Sequence, residues 1–171
     1  MSTPRRASLV LALTLLLGGC MSDSGANDAL PRMSREKAET WAQHWVGSMT
    51  RTTKSEIIPG TPKANFTNCT GKNGETADDG RFTLMYNARA KLPRAQYAEA
   101  MRALRDELKA QGFEIVGYDE GPGQERGAYG VQAKHPQDKQ YISVGDVAED
   151  TLTLSIDTPC LLPPDAEQQQ F

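Results

Sequence analysis

The chain is poor in the residues on which most enzyme chemistry depends. It holds 2 histidines and 3 cysteines in 171 residues, and aromatics make up 6%. With so few imidazoles and thiols, Ser–His or Cys–His nucleophilic machinery has little to work with. The sequence carries no G-x-S-x-G, no H-E-x-x-H and no glycine-rich phosphate loop. Gly71-Lys72-Asn73 lacks both the upstream glycine and the following hydroxyl residue of such a loop. Positive charge is short as well. There are 19 basic and 22 acidic residues, and Arg5 and Arg6 precede the first acid; without residues 1–19 the balance is 17 − 22 = −5. That excludes generic nucleic-acid binding, which wants a strongly basic body, but leaves room for a local basic patch. No cofactor is implied.

Long apolar runs are also missing. Residues 7–17 (ASLVLALTLLL) form the best one, and a membrane-crossing helix needs about twenty residues. What surrounds this run gives it meaning. Arg5-Arg6 precede it and Gly18-Gly19 follow it, just before Cys20. A positive start, a short apolar stretch and small residues are the layout of a secretory signal peptide over 1–19. Leu17-Gly18-Gly19-Cys20 resembles a bacterial lipobox. That resemblance implies a lipidated Cys20, with cleavage before it and a diacylglyceryl group on its sulfur. Two or three acyl chains make a durable anchor where one binds only marginally. Arg5-Arg6 also forms a twin-arginine pair, although the residues after it match a folded-protein export signal poorly. Both export routes stay open.

With Cys20 assigned to lipid, Cys69 and Cys160 are left as an even pair in an oxidising compartment, and a disulfide is expected. The alternative is a two-cysteine metal site. It would need further ligands, and neither His44 nor His135 stands at a ligand-like spacing from a cysteine.

The length suits one domain. Residues 20–33 read as the lipidated cysteine and a flexible tether with a reach of about 20 Å. A single α+β domain is expected over 34–162, followed by a disordered tail at 163–171. Ser34 can cap a helix over about 35–50, where Ala38, Trp41, Ala42, Trp45, Val46 and Met49 form an apolar stripe. Residues 51–66 show little pattern and read as an irregular connection or short edge strand. RFTLMYNARAKL alternates as a strand. Pro93 can open a second helix with its seam at Tyr97, Met101, Leu104 and Leu108, and Gly112 can end it. FEIVGY, YGVQAKH, QYISVGDV and LTLSIDT follow as strands separated by short turns, which implies an antiparallel meander. The expected fold is two-layer α+β, with about five mainly antiparallel strands covered on one face by two helices, in the order α-β-α-β-β-β-β.

The candidate sites are modest. His44 sits on a helix flank and His135 at a strand end before Pro136, positions that suit a rim and a turn. Asp78-Asp79-Gly80 lacks the alternating oxygen ligands and closing Glu of a calcium loop and reads as a solvated turn. Asn65-Phe66-Thr67 and Asn68-Cys69-Thr70 match the glycosylation sequon by chance in a bacterial lipoprotein. Trp41 and Trp45 fit a core better than a ligand platform. On a helical wheel Arg94, Arg102, Arg105 and Lys109 fall within an arc of about 80°. This basic stripe is either a solvated face snorkelling over the core edge or a contact for anionic headgroups or polymers.

The lipobox, the Trp-bearing helix, "NCTGKNGE", "KAQGFEIVG" and the closing "TPC" together resemble small actinobacterial surface lipoproteins. The matching segments are Cys69-Thr70-Gly71 and Thr158-Pro159-Cys160. The resemblance implies envelope localisation and a disulfide, and brings no established activity. The expected function is a non-catalytic binding module, lipid-anchored on the outer face of the cytoplasmic membrane. Its partner would be an envelope protein, polymer or lipid, and not nucleic acid. The competing readings are an enzyme built on Asp78, Asp79, Asp119 and Glu120, and a small-ligand or lipid carrier.

Overall fold

A computed structural model describes residues 28–71, 73–123 and 128–170. The expected signal peptide, Cys20 and most of the tether lie outside the described residues.

Helix α1 (Arg35–Thr53) starts where the Ser34 side chain accepts a hydrogen bond from the Lys37 N–H at 3.2 Å. That bond satisfies one of the amides a helix start leaves open. The helix ends at Lys54, which takes the left-handed conformation at φ 56°. Its buried face is Ala38, Ala42, Val46, Met49 and Thr53. Trp41 and Trp45 flank this face, half-buried against the core.

Two short strands follow, β1 (Glu56–Ile57) and β2 (Lys63–Asn68), then β3 (Phe82–Lys91). A 3-10 turn (Arg94–Gln96), with Pro93 at its cap, leads into helix α2 (Tyr97–Ala110). Gly112 closes that helix at φ 87°, and the Phe113 N–H reaches back to the Leu108 carbonyl at 2.9 Å. Positive φ costs glycine nothing, which is why it stands there. Strands β4 (Glu114–Glu120), β5 (Tyr129–Lys134), β6 (Tyr141–Ala148) and β7 (Thr151–Asp157) complete the order.

The α+β class and the antiparallel sheet match the expectation, and the strand count does not. The described residues form a seven-stranded sheet in the order β1-β3-β7-β6-β5-β4, with β2 also paired to β3. The element order is therefore α-β-β-β-α-β-β-β-β. Strands β1 and β2 share one edge of β3, through Ile57↔Ala90 and Lys63↔Asn87. They act as one edge strand interrupted by the turn at 58–62. Pro59 and Pro62 cannot donate to a ladder, so the pairing breaks there.

Both helices pack on one face of the sheet, α1 over β3 and β7, α2 over β4 and β5. The strands turn their apolar parity toward them. Leu84, Tyr86, Ala88 and Ala90 on β3 join Leu152, Leu154 and Ile156 on β7, with Ile142, Val144, Val131 and Ala133 continuing across β6 and β5. Truncating one of these, such as Leu154→Ala, should cost roughly 2–5 kcal/mol.

Cys69, after β2, and Cys160, after β7, are joined in a disulfide with Cα atoms 6.0 Å apart. Nearby, Leu161 and Leu162 are buried, and the Phe82 and Leu161 main chains exchange hydrogen bonds at 2.8 and 2.7 Å. Residues 163–170, expected to be disordered, lie against 28–33, the part of the expected tether that is described. Arg32 reaches three carbonyls of this segment, at Pro163, Pro164 and Ala166. Hydrogen bonding of a guanidinium to main-chain acceptors is what orders a run otherwise too polar to pack.

Candidate functional site

The basic stripe is built at the flank where α2 meets β4, and carboxylates meet most of it. Arg94 lies in the 3-10 turn ahead of the helix, and its Nη1 is 3.2 Å from the Asp146 carboxylate on β6. Its guanidinium also lies over the Tyr129 ring, 5.3 Å from the centroid. Arg102 faces Glu120 at 3.5 Å. Arg105 pairs with Asp106 at 2.8 Å and stacks on Tyr118 at 4.6 Å. Lys109 is exposed.

The Tyr118 hydroxyl donates to Glu120. Burial and that hydrogen bond push the Tyr118 phenol up to about 12, while accepting it holds Glu120 below the usual carboxylate range. This flank is an internally neutralised network. Three of its four cations stand beside an acid, so the net charge of the flank is small.

The four acids of the enzyme reading do not converge. Asp79 precedes the start of β3, near one edge of the sheet, whereas Asp119 and Glu120 end β4 at the other edge. Because β3 and β4 run in the same direction, these sites sit at diagonally opposed corners. Nor is Asp78-Asp79-Gly80 simply a solvated turn. Asp78 is exposed, but the Asp79 side chain is 1% exposed and forks onto Arg81, whose own side chain is 2% exposed. That guanidinium holds the Asp79 carboxyl far below the usual range, with the Gln169 amide helping. No signal within the loop announces this, because the third partner lies ninety residues on.

His44 is exposed on α1. His135 lies edge-on to Phe113, and its Nδ1 accepts from the Asp138 N–H at 3.1 Å. Among the described residues no group of three or more His, Cys, Asp or Glu is placed to hold a metal ion. No described helix is long and apolar enough to cross a membrane.

The feature that sequence reasoning did not single out is the sheet face opposite the helices. Its central row runs across four strands through the cross-strand partners Asn87, Ser155, Ser143 and Gln132. Ser155 Oγ donates to Asn87 Oδ1, and Gln132 leans over Gly117 on β4. One row beside it carries Met85, Asp157, Tyr141 and Lys134; the other carries Arg89, Thr153, Gly145 and Gly130. Met85 is 46% exposed. Burial raises the Asp157 carboxyl above its ordinary value. At Gly130 and Gly145, directly opposed, the backbone itself is the surface. Hydroxyls, amides and bare peptide groups on one plane can donate and accept hydrogen bonds with a polar partner laid across them. The signal was available in the alternation of each strand, but register alone joins these positions into a row.

No family model, curated protein or solved structure matches this chain.

Proposed function

We propose that the protein is a lipid-anchored envelope protein, held through Cys20 on the outer face of the cytoplasmic membrane, that acts as a non-catalytic binding module. It belongs, on this reading, with the small actinobacterial surface lipoproteins that its lipobox and Cys-x-Gly and Thr-Pro-Cys segments resemble. The binding surface is the sheet face opposite the helices, and the partner is an envelope protein or polymer rich in hydrogen-bonding groups. The carrying observation is the polar row Asn87–Ser155–Ser143–Gln132, which lies on the face that neither helix covers. A half-exposed Met85 beside it adds an apolar contact of the kind binding surfaces use.

Two measurements test this reading. The intact mass of membrane-extracted protein should show loss of residues 1–19, added acyl mass on Cys20, and two thiols that alkylate only after reduction. A photo-crosslinking residue placed at Ser143 or Thr153 should then capture an envelope component in cells, while the same residue at exposed Glu107 on α2 should not. Capture from α2 alone would move the binding surface to the helical layer.

A further inference from the structure

We infer that residues 163–170 form a releasable clasp that holds the N-terminal segment 28–33 against the disulfide end of the domain and so shortens the free tether between the domain and its anchor. Its physiological meaning rests on the lipid-anchor reading above; the clasp itself does not.

Two of its three glutamines, Gln168 and Gln169, bond in opposite directions. Gln168 grips the N-terminal segment, its Oε1 accepting from the Leu30 N–H at 2.9 Å and its Nε2 donating to the Asp28 carbonyl at 2.8 Å. Gln169 grips the body. Its main-chain N–H donates to Asp79 Oδ2 at 3.0 Å, its carbonyl accepts from Arg81, and its side chain accepts from the Asp78 N–H at 3.0 Å. Arg32 adds bonds of 3.3, 2.8 and 2.7 Å to the Pro163, Pro164 and Ala166 carbonyls. One strap thus ties the entering chain to the buried ion pair.

The strap is releasable because of how it is built. Leu161 and Leu162 are fully buried, whereas the side chains of residues 163–170 are polar, proline or alanine and none of these is buried. Water can replace hydrogen bonds of this kind, so the strap can open without uncovering apolar core. The Pro31 carbonyl and Met33 N–H pair with Leu162 itself and would stay in place. Opening therefore frees the chain up to about residue 31. From Cys20 to Asp28 the chain can extend about 28 Å, and to Pro31 about 39 Å.

With the clasp closed, the chain enters at the end where α1 and β3 begin and β7 finishes. The opposite end, with the β6–β7 turn and the start of α2, is then held farthest from the anchor. The polar sheet face stands between the two ends, open to a partner lying beside the domain.

Hydrogen exchange on the full chain tests the clasp. In a chain ending at Ala166, and in Gln168→Ala, exchange at Leu30 should rise about tenfold while the β7 amides stay protected. If the shortened chain also loosens β7, Gln168→Ala decides, since it leaves the Gln169–Asp79 contacts intact. Unchanged exchange at Leu30 in Gln168→Ala overturns the clasp. On anionic vesicles, energy transfer from a dye at Glu149 to labelled lipid should be weak in the parent chain and stronger, with a broader distance distribution, in Gln168→Ala. The same transfer in both chains overturns the tether-shortening role. Failure of either chain to associate with vesicles counts against the anchor alone, because the exchange result does not depend on Cys20.

Discussion

Arg81 and Asp79 stand two residues apart and face each other as a fork. The arginine Nε lies 2.8 Å from Oδ1 and 2.9 Å from Oδ2, and the two side chains are 2% and 1% exposed. The same carboxylate accepts the Arg81 and Gln169 main-chain N–H groups. An isolated buried charge would be expensive, so this loop is stable only while both partners are present.

Asp79→Asn should therefore destabilise the domain by about 3 kcal/mol near neutral pH, the lower end for breaking a buried pair because the amide can still accept hydrogen bonds. The pH dependence follows from the direction of the shift. Folding holds the Asp79 carboxyl below its unfolded value, chiefly through the Arg81 hydrogen bond. Its contribution is fully present above the unfolded pKa, near 4, and is lost as pH falls below it toward the folded value. Urea midpoints of parent and Asp79→Asn chains should differ most from pH 5 to 7 and converge below pH 4. A constant gap down to pH 2 would show that the carboxylate charge is not what stabilises the loop.

The Cys69–Cys160 bridge spans 91 residues and joins the end of β2 to the segment after β7. In the chain-entropy view, closing a loop of that length stabilises by about 4–5 kcal/mol. Reduction, or the Cys69→Ser/Cys160→Ser pair of substitutions, should lower the thermal midpoint by about 10 °C or more. Scanning calorimetry with and without reductant checks this. A shift of only a few degrees would mean that the buried Leu161–Phe82 contact already holds this end.

Gly121 and Gly123 offer a paired test of local sterics. Both have positive φ, +102° and +101°. A Cβ on Gly121 would come within 2.3 Å of the Tyr129 ring, whereas a Cβ on Gly123 meets nothing within 4 Å among the described residues. Gly123→Ala should cost only the backbone term, about 1–2 kcal/mol. Gly121→Ala should cost clearly more, because Tyr129 must leave its edge-on contact with Tyr97, 5.4 Å away by centroid. Equal costs in denaturant unfolding would show that the ring swings aside freely.

Much of this fold is legible in the sequence. Both helices were legible because Ala38–Met49 and Tyr97–Leu108 repeat at helical spacing, and local signals at Ser34 and Gly112 mark one start and one end. The last four strands were legible because their apolar residues alternate between clear turns. The β1/β2 edge was not, since Asn65 and Asn68 are poor strand formers and prolines interrupt the pairing. Its stability comes from β3, where Phe66 meets Phe82 edge-on at 5.6 Å. The disulfide could be anticipated by counting cysteines. The Asp79–Arg81–Gln169 cluster and the Asn87–Gln132 row could not, because each is assembled from separate segments that only the fold brings together.

The flank of α2 allows a last prediction. A cation near an anionic membrane contributes about 1 kcal/mol, or about fivefold in affinity, so a working basic stripe would lose at least about 25-fold on removal of two members. Arg102 and Arg105 are instead met by Glu120 and Asp106, at 3.5 and 2.8 Å. Their side chains are 52% and 25% exposed, so these pairs are well solvated and worth little individually. Arg102→Glu with Arg105→Glu should change co-sedimentation with anionic vesicles by less than about twofold beyond the effect of overall charge, which reversal of two exposed basic residues elsewhere, Lys37 and Lys63, calibrates. Stability should change little, because solvent-exposed pairs of this kind contribute little to folding. A loss of 25-fold for the α2 pair and none for the calibrating pair would restore the stripe as a membrane contact, and would mean that Glu120 and Asp106 give up their arginines when a headgroup arrives.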